Sequence, residues 1–431
     1  MPLMRDSTPD LSQGKTHRIS STGRVIVAEV VFSLIVLAFQ KVQRGWGWTT
    51  LGLVCAVIAA LPALLAAARK EVDPPLRATG RLLVLGCLIF AAAQLVFALA
   101  MLVKPKVFDI GETTLAAALA VMHGSNPYTA QIDTAAGGIA DDDRFHGYKY
   151  LPMMIMVYAP LCLAFGMRGI IVTNILLQAM TAAVIRSIAA VSGGRLAGLA
   201  AAMLYLSLPF VAHQIFTRGV TDLASVLMLL LALRYADERP MVAGVMVGLS
   251  IATKLVPGLV MLPCALPERG KRGRYLLGVL LGLLPILPFF ATAPDAFVAN
   301  VLLFNMVRPV DDTSWLFGLP TTVAATARIM AAGVLLAVTL HVWRRSPSLD
   351  ERCGLAALAT LAAFAVGPGM HHNYYLWFLP FLAILGGRAA IGAPAPADMF
   401  RSQLTWERKR HRVENVDQSG NSDRPHIETH R

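Results

Sequence analysis

The chain has 431 residues, of which 56% are hydrophobic and only 15% are charged, whereas soluble domains carry roughly 25% charged residues. This composition excludes an ordinary soluble enzyme and predicts that lipid surrounds most of the chain. Lysine and arginine outnumber aspartate and glutamate by 38 to 26. The basic residues stand in short clusters between apolar runs, so we expect a membrane protein and no nucleic-acid partner.

A basic N-terminal tail, residues 1–24, precedes the first apolar run at 25–39. Because Gln40 and Lys41 follow this run without a small-residue cleavage site, it predicts an uncleaved first helix. Further apolar runs lie near residues 51–67, 82–103, 170–190, 196–211, 222–233, 241–266, 275–292, 321–343, 354–368 and 376–387. With the run 241–266 broken at Pro257 into a short hairpin, the pattern predicts an all-α, polytopic transmembrane protein with about twelve crossings.

Clusters of lysine and arginine predict how these helices are oriented, since basic residues in short loops stay on the cytoplasmic side. The clusters lie near residues 69–81, 186–195, 234–239, 269–274 and 344–352, and the tail after Arg388 is also basic. Both termini are therefore predicted to be cytoplasmic, in the inner (plasma) membrane, and the long segment 104–150 to lie outside. This orientation holds along the whole chain if residues 151–165 lie along or dip into the outer interface while residues 170–185 span the membrane.

The apolar runs form one predicted transmembrane domain, residues 25–390. The tail 391–431 is rich in charged and small polar residues, so it cannot bury enough apolar surface to fold alone, and we expect it to be disordered in the cytoplasm. We interpret the cysteines as small core hydrophobes, because they lie in apolar segments without metal-ligand spacing. They are Cys55, Cys87, Cys162, Cys264 and Cys353.

The outer segment 104–150 carries the first candidates for chemistry. If residues 109–122 are helical, Asp109 and Glu112 share one face. Two carboxylates there could supply a general base together with a bound metal ion or an orienting partner. The alternative is structural: Asp109 caps the helix, and Glu112 is a favourable charge in its first turn.

Several short motifs follow one another in a recognisable order. After Asp109 come an alanine-rich stretch, a Gly124 to Tyr128 turn that includes Asn126 and Pro127, and a Tyr150–Pro152 segment. Later come a glycine-rich stretch ending in Lys254 and Pro257, and a His371–Tyr375 turn. This order resembles glycosyltransferase family 87, one of the GT-C membrane glycosyltransferases that use polyprenol-phosphate sugars and include α-mannosyltransferases. Two features depart from the family pattern, namely the extra helices at 25–40 and 51–67 and the Gly111–Glu112 pair where aromatic residues are common.

The resemblance implies a GT-C-like fold with a large first outer loop and an inverting sugar transfer. The donor would be a polyprenyl-phosphate-linked mannose or a similar sugar, and the acceptor would be an extracytoplasmic glycan or glycolipid. Membrane lipids would surround the protein. Asp109 would take the acceptor proton, and Glu112 would assist or hold a divalent ion. Lys254 with Arg218 would stabilise the leaving phosphate. The sequence predicts no definite cofactor, and a divalent metal ion held at the paired carboxylates is the one candidate.

Cations on the outer side are candidate contacts for a lipid-linked phosphate. Lys254 interrupts an apolar run, where an ionisable group costs about 2.5–3.5 kcal/mol, so we expect it to have a partner; otherwise it snorkels outward beside Pro257. Arg218, Lys149 and Arg308 break the general bias of basic residues toward the inside. Each is therefore a candidate phosphate or sugar contact.

Other polar residues are candidates of the same kind, each with a structural alternative. His371 and His372 could bind phosphate or metal, or could belong to an aromatic belt at the interface. Asp222 could contact a sugar or interact with the dipole of the helix that it opens. Asn126 and Tyr128 are candidates through their turn, which structure alone could also explain.

A rival prediction is a multi-pass transporter or lipid flippase. Such a protein would place ionisable residues near the middle of the membrane in broken helices, often within internal repeats. The sequence has no half-to-half repeat, and its unusual polar residues concentrate on one side. The pattern therefore favours an enzyme over a transporter or a non-catalytic scaffold.

Overall fold

The computed structural model describes residues 76–105, 107, 109–132, 145–311, 314–367 and 371–391. These residues form helices joined by turns, with no strand among them, so the predicted all-α class is confirmed. The predicted helices at 25–39 and 51–67, both tails and Cys55 lie outside the described residues. The count of about twelve crossings therefore stays a prediction.

The α-helices are separated by turns and by loops of different lengths. In chain order they are α1 (Leu76–Val103), α2 (Asp109–Met122), α3 (Pro152–Phe165), α4 (Met167–Leu206), α5 (Pro209–Ala212), α6 (Asp222–Tyr235), α7 (Pro240–Ile251), α8 (Leu255–Met261), α9 (Arg272–Gly282), α10 (Leu287–Thr292), α11 (Pro294–Val298), α12 (Phe304–Val307), α13 (Thr321–Arg345), α14 (Leu349–Ala365) and α15 (Leu379–Ile391). Short π-helical turns lie at His213–Thr217 and Ala299–Leu303, and 3₁₀ turns at Arg269–Lys271, Leu284–Ile286 and His372–Trp377.

Four helical stretches in the described residues are long and apolar enough to cross a membrane. They are Gly80–Val103, Met167–Leu206, Arg269–Thr292 and Thr321–Arg345. Only 11% of the apolar window in Thr321–Arg345 is buried inside the protein. Water would be a poor solvent for such a helix, whereas lipid is a good one, so this is a membrane protein.

Helix α4 folds back on itself at Gly194, whose φ of 76° and ψ of 178° lie outside the helical region. A straight helix would separate Gln178 from Tyr205 by about 40 Å, yet the Tyr205 hydroxyl donates to Gln178 Oε1 at 2.7 Å. The apolar runs 170–190 and 196–211 are therefore two antiparallel helices, as predicted. Gly194 makes the turn, because glycine tolerates this backbone conformation.

The run 241–266 breaks earlier than predicted. Helix α7 ends at Ile251, the turn contains Lys254, and α8 begins at Leu255 with Pro257 in its first turn. The predicted break at Pro257 is wrong, because the first N–H groups of a helix have no partner inside the helix and proline is tolerated there. The break places Lys254 at the tip of a short hairpin.

Two glycine pairs hold α7 tightly against α9. Gly244 and Gly248 face Gly278 and Gly282, and a Cβ added at any of the four would overlap backbone atoms of the opposing helix. Small residues at such spacing let helices approach closely in membranes. This contact fixes the hairpin that carries Lys254.

The basic loops meet at one end of the bundle. Lys271 donates to the carbonyl of Asp237 at 2.9 Å, and Arg352 pairs with the Asp237 carboxylate at 3.1 Å. Arg388 pairs with Asp350. Helix α6 has 14 residues, so Asp222 at its other end lies about 20 Å along the axis from this basic end. The predicted separation of basic loops from the candidate site residues is thus observed, while the cytoplasmic position of the basic end stays a prediction.

Candidate functional site

A cavity of about 780 Å³ lies among the starts of α2 and α8, helix α12 and the end of α14. Its charged and titratable lining residues come from distant parts of the chain: Asp109, Lys149, Arg218, Lys254, Arg308 and His371. Part of the wall is apolar, formed by Leu255, Val256, Pro257, Val301, Leu302 and Met306. Six of the residues predicted from sequence therefore line one cavity.

Asp109 is the first residue of α2, and its side chain is exposed to the cavity. Its carboxylate accepts a hydrogen bond from the Ile110 N–H at 2.7 Å, and among the described residues it forms no ion pair. Gly111 and Gly219 allow the start of α2 to pack against the turn after Arg218, because a Cβ at either would overlap Val107. Asp109 is thus held at the cavity with its carboxylate available to a ligand.

Lys254 has the partner that its sequence position requires, namely Asp222. The two form an ion pair in which the aspartate side chain is fully buried and the lysine side chain is 11% exposed. Asp222 also accepts hydrogen bonds of 2.8 Å from Asn373 Nδ2 and from Trp377 Nε1. Asp222 is absent from the cavity lining, so it acts as the counter-ion behind Lys254.

Three aromatic rings surround the Lys254 ammonium. The nitrogen lies 5.5 Å from the ring centre of Tyr150, 5.7 Å from that of Tyr374 and 5.9 Å from that of Trp377. Ring faces attract cations at these distances. The rings also restrict the lysine to the cavity wall, so its charge is fixed in position.

Arg308 and His371 meet at another part of the lining. Arg308 Nη2 contacts His371 Nε2 at 2.8 Å and Asp311 Oδ2 at 2.9 Å. A guanidinium can only donate, so His371 Nε2 accepts in the contact with Arg308, and the same nitrogen lies 3.4 Å from Asp311 Oδ2. Burial and the Arg308 charge lower the pKa of His371. His371 therefore reaches the cavity as a neutral imidazole beside a cation.

Lys149 lines the cavity, but its ammonium group is hydrogen-bonded to other protein groups. Its ammonium donates to the carbonyls of Phe145 and Gly147 and, at 2.7 Å, to Asn300 Oδ1. These contacts use its three donors. Burial lowers the pKa of Lys149 to about 8, so it remains mainly charged at neutral pH and ties the outer segment to the Ala299–Leu303 turn.

Three other predicted residues lie away from the cavity lining. Glu112 is exposed on α2 and is not part of the wall. Asn126 Nδ2 donates to the Phe289 carbonyl at 3.1 Å and to Thr292 Oγ1 at 2.8 Å. The Tyr128 hydroxyl donates to the Tyr150 carbonyl at 2.7 Å. Asn126 and Tyr128 therefore join the outer segment to neighbouring elements.

His372 begins the 3₁₀ turn His372–Trp377, next to His371. Among the described residues, no group of three or more histidine, cysteine, aspartate or glutamate side chains is arranged to hold a metal ion. The predicted divalent ion therefore has no ligand set among the described residues.

Some lining residues were not predicted as site residues. They include Gln214, Asn305, Asn373, Tyr374 and Trp377. Gln214 stands in a mostly apolar stretch just before Arg218, and such an isolated polar residue is the signal that could have indicated it. Asn373 and Trp377 reach the site by bonding Asp222, which no local pattern could reveal.

Comparison with known proteins gives a match to a family model and a similarity in fold to solved structures. The model of glycosyltransferase family 87 matches residues 148–368, just over half of the chain. This range contains Lys149, Arg218, Asp222, Lys254 and Arg308, and it lies between Asp109 and His371. No curated protein matches the chain.

Two crystal structures of ArnT from Cupriavidus metallidurans are similar in fold. The structure bound to undecaprenyl phosphate has a TM-score of 0.47, and the apo structure has a TM-score of 0.49. In both, the identity is 17%, and the alignment covers 74% of this chain and 62% of the ArnT chain. The chain thus spans about 62% of the length of these solved proteins.

Proposed function

Since the chain belongs to glycosyltransferase family 87, we propose that it transfers mannose or a similar sugar from a polyprenyl-phosphate donor to a glycan or glycolipid acceptor. The reaction takes place at the extracytoplasmic face of the inner membrane, and both termini are cytoplasmic. The observation that carries this proposal is the single cavity lined by Asp109, Arg218, Lys254 and His371. These residues supply a carboxylate, two cations and a neutral imidazole in one place.

The proposed reaction is one displacement at the anomeric carbon. The acceptor oxygen forms a bond to that carbon as the bond to the phosphate oxygen breaks, which inverts the configuration. Asp109 takes the proton from the acceptor hydroxyl, a role that contributes typically 10²–10⁴-fold to the rate. The sugar leaves the donor, and polyprenyl phosphate is released with its additional negative charge.

Cations in the cavity favour the departure of the phosphate. Lys254 is held in place before the reaction by Asp222 and the surrounding rings, so its charge stabilises the developing anion without reorganisation. Arg218 adds a second cation at the cavity wall. Arg308 adds a third cation, whose guanidinium is oriented by Asp311 and His371. Asp222 reduces the net charge near Lys254 but keeps its ammonium at the wall.

The apolar wall suits the lipid part of the donor. Leu255, Val256, Leu302 and Met306 offer hydrocarbon surface next to the cations, and several of these side chains are exposed on the protein surface. An isoprenoid chain can follow such a wall from the surrounding lipid while its phosphate reaches the cations. The arrangement therefore accommodates both ends of an amphipathic donor.

A donor panel tests the proposal. The purified protein in proteoliposomes is given undecaprenyl-phosphate mannose, glucose or arabinose, each labelled in the sugar, together with a membrane glycolipid extract as acceptor. We expect label to move to the acceptor, with release of undecaprenyl phosphate, for at least one donor. Movement of an intact donor between leaflets without sugar transfer would instead identify a flippase.

A further inference from the structure

Gln214 is a buried side chain with an unused hydrogen-bonding group at the cavity. It is 2% exposed and forms part of the cavity wall. Its amide oxygen is buried and has no hydrogen-bond partner within the described part of the chain. Buried polar atoms are nearly always paired in proteins, so this oxygen lacks a partner that a hydroxyl group bound in the cavity could supply once the amide turns toward it.

The other buried glutamines of the described residues behave differently. Gln94 Nε2 donates to the Leu206 carbonyl at 2.6 Å, and Gln178 Nε2 donates to Gln94 Oε1 at 2.9 Å. Gln178 Oε1 accepts from the Tyr205 hydroxyl at 2.7 Å. Both amide oxygens of this pair are satisfied between helices, so they have a structural role that Gln214 lacks.

The backbone around Gln214 does not depend on its side chain. Asn174 Nδ2 donates to the carbonyls of Ile215 at 2.9 Å and Val220 at 3.1 Å, and Tyr158 fixes Asn174 through a hydrogen bond of 2.6 Å. Gln214 itself lies in the π-helical turn His213–Thr217, a conformation that is frequent at functional sites. The Gln214 amide therefore lies at the cavity wall without holding the surrounding backbone in place.

The amide oxygen of Gln214 can only accept a hydrogen bond, so the part of the ligand that it contacts must donate one. An ionised phosphate carries only acceptor oxygens and cannot satisfy it, and an isoprenoid chain has no donor. A sugar hydroxyl donates readily. We propose that Gln214 accepts a hydrogen bond from a hydroxyl of the sugar carried by the lipid-phosphate donor, and so distinguishes the glycosylated lipid from the released lipid phosphate. This inference rests on the proposed function.

Two ligands and two matched variants test this role. Undecaprenyl phosphate and undecaprenyl-phosphate mannose, glucose or arabinose are titrated in detergent, with Trp377 in the cavity wall contributing to the fluorescence signal. Gln214→Leu removes the unpaired amide, and Gln178→Leu removes a paired one. Thermal unfolding of each ligand-free variant reports whether the amide has a structural role.

We expect Gln214→Leu to bind the preferred sugar donor about tenfold more weakly, the loss of one hydrogen bond, and to bind undecaprenyl phosphate as the parent does. Its thermal stability should equal or exceed that of the parent, whereas Gln178→Leu should unfold at a lower temperature. Gln214→Met should repeat the result.

Equal weakening of both ligands, or of neither, in Gln214→Leu would overturn the inference, as would a parent that binds undecaprenyl phosphate but none of its glycosylated forms. A parent that binds a glycosylated form through Gln214 but transfers no sugar would contradict the proposed function alone. The two failures are therefore distinguishable.

Discussion

Asp222 and Lys254 form a buried ion pair that joins the first residue of α6 to the tip of the α7–α8 hairpin. The pair connects the hairpin to the His372–Trp377 turn, because Asn373 and Trp377 donate to the same carboxylate. One carboxylate thus fixes three elements of the cavity wall. Its position explains how a lysine in an apolar run is retained without charge imbalance.

Removal of one member of this pair should cost stability as well as activity. Lys254→Met leaves the Asp222 carboxylate buried with only two N–H donors, and breaking a buried pair in this way costs about 3–5 kcal/mol. We expect a lower unfolding temperature and loss of sugar transfer. The measurements are thermal unfolding in detergent and the labelled-donor assay.

The double variant Asp222→Asn with Lys254→Met separates the two effects. It removes both charges, so most of the lost stability should return, while transfer should stay absent because the cation is missing. A double variant no more stable than Lys254→Met would argue against the ion pair. Recovery of transfer would show that Lys254 is dispensable for the reaction.

Acidification should destabilise the protein through His371. Its pKa is lowered by burial and then by Arg308, and Lys254 acts in the same direction, while Asp311 and Asp109 oppose the shift. Below the ordinary histidine value of about 6.5, the unfolded chain binds a proton that the folded protein does not. Stability should therefore fall as the pH falls through this window.

The variant His371→Asn tests this contribution. Thermal unfolding is compared between about pH 7.5 and about pH 5.5, and the loss on acidification should be smaller in the variant than in the parent. All other titratable groups are common to the two proteins. Identical losses in the two proteins would show that His371 does not contribute.

Glycine packing between α7 and α9 should be intolerant of a single methyl group. Gly248→Ala places its Cβ against the backbone of Val279 and Gly282, and such overpacking costs about 1–3 kcal/mol. Gly333 in α13 provides the control, because a Cβ there meets no atom within 4 Å. Gly333→Ala should be neutral or stabilising by up to about 1 kcal/mol. Equal unfolding temperatures for the two variants would contradict the close contact.

Lys149 should act as a structural tie together with Asn300. Either Lys149→Met or Asn300→Leu removes their 2.7 Å hydrogen bond, so the double variant should be less destabilised than the sum of the single variants. Donor affinity, measured on folded protein, should change little. Additive losses, or a donor affinity that falls selectively in Lys149→Met, would identify Lys149 as a phosphate contact instead.

Helix boundaries were predicted best where neighbouring residues in the sequence determine them. Helix α2 begins and ends at Asp109 and Met122, as expected from its acidic start and the Gly124 turn. The break before Lys254 was placed at Pro257, because proline in a first helical turn cannot be distinguished from proline at a break by pattern alone.

The candidate site was partly predictable, because a charged residue within an apolar run is energetically costly and is usually functional. Lys254 was identified in this way, and Arg218 because it breaks the bias of basic residues toward the inside. The ion pair of Lys254 was not predicted, since Asp222 precedes Lys254 by 32 residues and Trp377 follows Asp222 by 155. Only the packing of α6 against the hairpin and the last turn brings these groups together.

The proposed transfer of the acceptor proton to Asp109 is tested by a matched pair of variants on α2. Single-turnover transfer from the donor identified in the panel is measured for the parent, Asp109→Asn and Glu112→Gln. We expect Asp109→Asn to bind the donor normally but to transfer the sugar at least about 10²-fold more slowly, while Glu112→Gln, outside the cavity lining, transfers it at the parental rate. Undiminished transfer by Asp109→Asn, or its loss only in Glu112→Gln, would contradict the proposed proton transfer to Asp109.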